Sequence, residues 1–299
     1  MHDNRNRPER LRNRKCGRSP ATLVLLAILL SSCISHPLPL PDNPYTGTQS
    51  GLLVSTLNVM YDRVEEAPRR ITGLSDLLQS AERDLWFLQE VVSILPDDFI
   101  APVNRIFNML KNMDEYGLIS ADSYSRTGNI NPILYSKARF SPVRSGTYWF
   151  SHNAFVPDSR SWGNTRPRQM TWAVLYDRAA DSCISVVNLH LDHASAESRK
   201  PSVEMMFQVI HQERLNAHPI IIAGDFNSIS PSKTGRLLLE QFHEAEYPGG
   251  SFRRLPMSID HIFYRSLEEL DCRAESVTIS DHKMVTARFT YPVDTIITE

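Results

Sequence analysis

From Leu52 onward, apolar and polar positions alternate between two periods, one of two residues and one near 3.6. LLVSTLN (52–58), LWFLQE (85–90), NPILYS (131–136), GTYWFS (146–151), QMTWAVLY (169–176) and CISVVNLH (183–190) are short, apolar and rich in β-branched or aromatic residues, which predicts strands. PIIIAGDFN (219–227), SIDHIFYR (258–265), SVTI (276–279) and MVTARFT (284–290) extend that set. Helical spacing appears over 68–80, with Ile71, Leu74, Leu77 and Leu78 on one face, and over 98–113, with Phe99, Val103, Ile106, Phe107 and Leu110. A third helix is predicted over 201–215, with Pro201 in its first turn and Val203, Met206, Phe207 and Ile210 facing inward, and a fourth near 232–242. A polar loop with Pro157, Trp162, Gly163 and Pro167 separates two of the strands, and no internal repeat is visible. Adjacent strands with short connections imply antiparallel pairing, so the expected architecture is α+β, with two packed sheets and helices outside.

The first 50 residues follow another pattern. Positions 1–20 carry seven Lys or Arg against two acidic residues, a net of +5. ATLVLLAILL (21–30) is uncharged and apolar, and Ser31, Ser32 and Cys33 follow. A basic segment, a short apolar run and small residues are the parts of a secretory signal. The run is shorter than the roughly 20 residues a membrane span needs. Leu30-Ser31-Ser32-Cys33 resembles a bacterial lipobox, which implies cleavage before Cys33 and acylation of its thiol. Pro37, Pro39, Pro41, Pro44 and Gly47 make 34–50 an extended tether. The expected division is therefore a signal peptide at 1–32, a lipidated Cys33 with its tether to residue 50, a folded domain over 51–293, and a short tail at 294–299. The expected location is the bacterial cell envelope, outside the cytoplasm and attached to a membrane, with no protein partner.

With +5 in the leader, a whole-chain charge of −2 leaves −7 for the remainder. That balance leans away from long duplex DNA, which is held chiefly by neutralising phosphates. Cys183 and Cys272 either pair in an oxidising compartment or stay as free buried thiols. No cysteine or histidine spacing of a zinc site occurs.

Chemistry is suggested by where polar residues fall. Asn58 follows LLVSTL, Glu90 follows LWFLQ, Asn188 and His190 close one strand, and Asp225 and Asn227 close another. Asp281 and His282 follow SVTIS, and Asp260 opens a further strand beside His261. Strand ends on a rigid sheet are suited to holding reactive groups. Asp192, His193 and His261 neighbour these positions but are expected, by strand alternation, to point elsewhere.

The ordered set LNV, LQE, NPILY, NLHLDH, GDFN, IDHIF and SDH resembles the endonuclease/exonuclease/phosphatase superfamily, from about Leu52 to Phe289. The stretch from Asn131 through Trp149, Trp162 and Arg168 to His193 is most similar to a bacterial branch that often has Glu just before its NP motif. Asn129 and Ile130 stand there in this chain. The resemblance implies a four-layer α/β/β/α sandwich and hydrolysis of phosphoesters with Mg²⁺ (or Mn²⁺). Glu90 is then the principal metal ligand and Asn58 its partner, and Asp281 either binds a second metal or supports its turn. Asp225 would take the proton of the attacking water, with Asn227 steadying it or a phosphate oxygen. His190 and His282, preferably protonated, would donate to phosphoryl oxygens, and Asp260 would orient His282. The converse division, with His282 as general base, is equally open. Asn131, Arg168 and Asn188 are the expected substrate contacts. Nucleic acid, a phospholipid head group and a small phosphoester all remain possible substrates, and a surface lipoprotein that only binds a ligand is the competing reading.

Overall fold

The computed structural model describes residues 51–60, 67–92, 105–120 and 129–292. The expected signal peptide, Cys33, the tether, the C-terminal tail and the first part of the second predicted helix lie outside the described residues.

In chain order the elements are β1 (Leu52–Asn58), α1 (Ala67–Ser80), β2 (Leu85–Gln89), β3 (Val91–Val92), α2 (Arg105–Lys111), β4 (Tyr116–Ile119), β5 (Asn129–Ile130), β6 (Ile133–Ser136) and β7 (Phe140–Trp149). They continue with β8 (Gln169–Asp177), β9 (Ser182–His190), α3 (Ala196–Gln212), β10 (Ile220–Asp225), α4 (Lys233–Leu239), β11 (His243–Glu244), β12 (Asp260–Arg265), β13 (Glu268–Ser276) and β14 (Lys283–Thr290). One six-stranded sheet has the order β13-β14-β1-β2-β6-β4, and the other has β11-β12-β10-β9-β8-β7. Each contains one parallel pair, β1 with β2 and β9 with β10, crossed over by α1 and α3 respectively, and every other pairing within these sheets is antiparallel. Read from β13 in the first and from β7 in the second, the sheets follow the same sequence of pairings.

Three apolar clusters make four layers. Between the sheets lie Leu52, Val54, Phe87, Leu175, Val186, Ile221, Ile262, Val285 and Phe289. The alternate residues Leu57, Trp86 and Leu88 face outward and are covered by Leu74 and Leu78 of α1 and by Phe107 and Leu110 of α2. On the other side Trp172, Val187, Leu189, Ile220 and Ile222 are covered by Val203, Met206 and Ile210 of α3 and Leu238 of α4. Each fully buried aliphatic or aromatic side chain of this kind contributes about 1.5–3 kcal/mol. The expected α/β/β/α sandwich is the observed one.

Several expected boundaries move. The helix placed at 201–215 starts at Ala196, because the Ser195 hydroxyl caps it by accepting from Ser198 N at 3.2 Å. Pro201 therefore sits inside the helix rather than in its first turn. Of the strand placed at 276–279 only Ser276 belongs to β13, and Val277 and Ile279 instead join the apolar cluster under α1. Cys183 and Cys272 are both free; they belong to different apolar clusters, on opposite sides of the second sheet.

The two ends of the sandwich are closed differently. At the end where β2 begins, Arg139 makes a bidentate pair with Asp177 (2.9 and 2.8 Å) and reaches Asp84 at 2.9 Å. At the other end, where both parallel pairs have their C-termini, the inward positions become polar: Thr56, Asn58, Gln89, Asn188, His190 and Asp225 are all buried. Gly224 lets the backbone turn there. Its φ is +148°, and an added Cβ would lie 2.0 Å from the Leu189 carbonyl oxygen. Gly224→Ala should cost more than about 3 kcal/mol, because both the backbone angle and the close approach to β9 are lost. Urea unfolding would measure it, and an unchanged midpoint would show that β9 and β10 can separate without penalty.

Candidate active site

The polar end of the sandwich is built in two tiers. In the lower tier, Gln89 Nε2 donates to Thr56 Oγ1 (3.0 Å) on its own sheet and to Asn188 Oδ1 (2.8 Å) on the other. Asn188 Nδ2 in turn donates to the carbonyls of Leu88 and Pro132, each at 2.8 Å. Asn131 Nδ2 donates to Gln169 O at 2.9 Å. These amides tie the two sheets together beneath the cleft. Asn131 and Asn188, expected as substrate contacts, are placed beneath the cleft: they are buried, their amide N–H groups are given to backbone carbonyls, and neither lines it.

The upper tier lines a cleft of about 470 Å³. Asn58, Glu90, Arg168, His190, Asp225, Asn227, Asp281 and His282 all reach it, as expected. Asp225 is the hub. Its Oδ1 accepts from Asn227 N (2.9 Å) and its Oδ2 accepts from Asn58 Nδ2 (3.0 Å). His190 Nε2 and His282 Nε2 lie 3.4 and 3.9 Å from the same Oδ2. His282 Nδ1 is 2.8 Å from Asp260 Oδ2, the orienting pair expected from IDH and SDH. Asn227 has a left-handed backbone (φ +47°), an angle Asn tolerates, and its Nδ2 donates to Leu191 O.

Glu90 follows the last residue of β2, and simple alternation would turn its side chain outward. Its φ of +60° breaks the alternation, and the carboxylate enters the cleft. A left-handed non-glycine residue costs on the order of 1 kcal/mol or more, and such strain tends to collect at functional sites.

Asn58 also links the two acidic groups of the cleft. Its Oδ1 accepts from Met60 N at 2.9 Å, while its Nδ2 bridges Glu90 Oε1 (3.1 Å) and Asp225 Oδ2 (3.0 Å). The opposite amide orientation would set an oxygen against two carboxylates, so the network fixes this one. Asn58 therefore spaces two acidic groups, with one carbonyl lone pair left over. Asp281 sits at the rim, and its Oδ2 accepts from Arg254 Nη2 at 3.0 Å.

The electrostatics separate the two histidines. Burial, reinforced by the nearby Arg168, His282 and His193, holds His190 well below the usual imidazole range, which favours its neutral form. Burial also works against a charge on His282, but Asp260 and then Asp225 outweigh it and raise its pKa to about 10. Burial, followed by the charge of Asp260, raises Asp225 to about 7. Oxygen donors that suit a hard dication, Glu90, Asp225 and Asp281, share the cleft wall. Asp225, Asp260 and His282 also offer ligand atoms within 4.8 Å of one another. The 2.8 Å bond between His282 and Asp260 already uses one face of that trio, which suits it to proton handling better than to coordination.

His193 was expected to point away but lines the cleft. Strand alternation ends with β9 at His190, so it does not govern position 193. His261 does face elsewhere, held by Glu244 (2.5 Å) and Ser228 O (2.8 Å). Asp192 lies beneath the cleft. Arg166 and Arg254 line the cleft too, and nothing in their sequence surroundings marks them out.

The sequence matches the Endonuclease/Exonuclease/phosphatase family over residues 55–282, and the chain belongs to that family. Its fold is similar to that of a family protein from Bacteroides thetaiotaomicron, at 20% identity over 82% of this chain and 99% of that one, with a TM-score of 0.70. It is also similar to a mannosyl-6-phosphatase of the same organism, at 20% identity over 80% of this chain and 100% of that one, TM-score 0.67. A third similar structure is TDP2 of D. rerio complexed with a single-strand DNA product, at 17% identity over 81% and 99% of the two chains, TM-score 0.62. No curated protein sequence matches the chain.

Asp192 joins the segment before β8 to the start of α3. Its carboxylate accepts from Thr165 N, Thr165 Oγ1, Arg166 N, Ala194 N and Ser195 N, all between 2.8 and 3.1 Å. Burial alone would raise its pKa, but these donors outweigh it and lower the value to about 2 from 3.8. A depressed carboxylate stabilises the fold above its unfolded pKa and loses that effect as pH falls through the folded value. Asp192→Asn should therefore cost about 1–3 kcal/mol at neutral pH. The deficit relative to the parent should be constant above about pH 4 and shrink toward pH 2, and denaturant titrations at several pH values would read it.

Proposed function

We propose that the protein is a divalent-cation-dependent phosphoester hydrolase, with Mg²⁺ (or Mn²⁺) as cofactor. The observation that carries this reading is the convergence on Asp225 of Asn58 from the facing sheet, of His190 from the neighbouring strand and of the His282–Asp260 pair, with Glu90 alongside. Such an arrangement pairs a buried base with donors for phosphoryl oxygens.

A bound dication would neutralise the phosphate and polarise a P–O bond. Glu90 would be its principal ligand, and Asp281 and the remaining lone pair of Asn58 are within the same cleft. The chain's own residues account for the rest. His282 lies between the carboxylates of Asp260 and Asp225 and is a hydrogen-bond donor in that position. This favours Asp225 over His282 as the group that takes the water proton. Asn227 N–H and Asn58 Nδ2 fix the Asp225 carboxylate, leaving its proton-accepting edge toward the two imidazoles. Arg168 reaches the cleft from the segment entering β8 and meets the negative charge of the substrate.

The location is part of the same reading. The basic leader, the apolar run and Cys33 support a lipid-anchored protein outside the cytoplasm; among the described residues no helix is long and apolar enough to cross a membrane. The phosphatase and the DNA-bound protein among the similar structures support a phosphoester substrate, whether small or nucleic acid; a phospholipid head group is the further option at a membrane surface.

Hydrolysis of bis-p-nitrophenyl phosphate by the purified protein should require Mg²⁺ or Mn²⁺ and stop on addition of EDTA. Asp225→Asn and His282→Ala should each lower kcat/KM by roughly 10²–10⁴-fold, with thermal unfolding used to confirm that the variants remain folded. Full turnover in EDTA, or in either variant, would defeat the proposal.

A further inference from the structure

Beside the cleft lies a second cavity of about 610 Å³. Arg166 and His193 line both, so the two adjoin at these side chains. The proposed chemistry uses neither residue. Arg166 is exposed, and among the described residues its guanidinium has no hydrogen-bond or ion-pair partner; only its backbone N–H is engaged, by Asp192. Arg168, two residues on, is buried, with Nη2 3.2 Å from His193 Nδ1 and Nε 3.9 Å from Asp192 Oδ2. No hydrogen bond satisfies that buried Nε within the described structure. Arg160 borders the side cavity and donates to Thr165 O at 2.8 Å, and the carboxylate of Asp158 is also on its wall.

The segment carrying these arginines is not a free loop. Asp192 accepts from the backbone N–H groups of both Thr165 and Arg166 and so fixes how the two guanidiniums are presented. An arginine held at a cavity mouth, with donors left over, is suited to a planar bidentate contact with phosphate. Two such residues, one buried toward the reacting centre and one exposed toward the side cavity, give the site two separate places for negative charge.

We infer that the side cavity is a second anion subsite, which takes a phosphate carried by the substrate in addition to the scissile one and binds it on Arg166 and His193. This rests on the phosphoesterase reading above for its account of the first phosphate. The second phosphate belongs either to the next linkage of a nucleic-acid strand or to a compact bisphosphate.

Two pairs of probes test the subsite on the full chain. One pair is glucose 1,6-bisphosphate against glucose 6-phosphate. The other is a thymidine dinucleotide with and without a 5′-phosphate. Calorimetry in EDTA reads binding in the absence of turnover. In at least one pair the member with two phosphates should bind about tenfold more tightly, and Arg166→Ala should reduce that ratio to within about twofold. The pair that responds identifies the source of the second phosphate. Equal affinity or no binding in both pairs, or a preference that R166A leaves intact, overturns the subsite. Turnover of bis-p-nitrophenyl phosphate with Mg²⁺ is scored separately. A binding preference lost in R166A without any turnover would uphold the subsite and count against the hydrolase reading.

Discussion

Two buried amides, Gln89 and Asn188, meet across the gap between the sheets, and the cleft depends on that contact. Over most of its depth the sandwich is closed by apolar side chains that interlock without direction. At the catalytic end that packing must stop, because the inward positions there are polar. Polar groups removed from water cost free energy unless each finds a partner. Gln89 gives hydrogen atoms to both sheets, and Asn188 passes its own to the Leu88 and Pro132 carbonyls of the facing sheet. The sheets are thereby held in register just below the reactive groups. Asn58 then repeats the bridge one tier higher, to Asp225.

On this base the site needs few unusual features. Strand alternation carries Asn58, Asn188, His190, Asp225 and Asp260 to the inner faces without help. Two left-handed residues, Glu90 and Asn227, make the corrections that alternation cannot, and Gly224 lets β10 lie close against Leu189 of β9. The site thus combines regular strands, which fix position, with a small amount of backbone strain, which fixes aim.

Much of this was legible in the sequence, and the misses have physical causes. Long apolar strands such as PIIIAGD and QMTWAVLY are read easily because both of their faces are buried. β13, EELDCRAES, is an edge strand with charges along its length, and lacks the alternation that reveals a strand. The acidic and imidazole members of the site could be named because those groups have few structural uses at strand ends. The amides are harder to read: Asn at a strand end serves equally well as a ligand, a substrate contact or a brace, and only the partners of Asn58, Asn131 and Asn188 show the bracing. His193 and Arg166 were missed because they follow or precede a strand, where no period says which way a side chain points.

The shared order of the two sheets has a mechanical consequence. Glu90 and Asn58 stand on one sheet, and Asp225, His190 and Asp260 on the other, so the reacting groups straddle a sliding plane. A shear of one sheet over the other by even a fraction of an ångström would lengthen the Asn58–Asp225 contact while leaving every strand intact. Reactivity in this molecule is therefore a gauge of inter-sheet alignment. Heat or pressure that loosens the packing between the sheets would disarm the cleft before any secondary structure is lost.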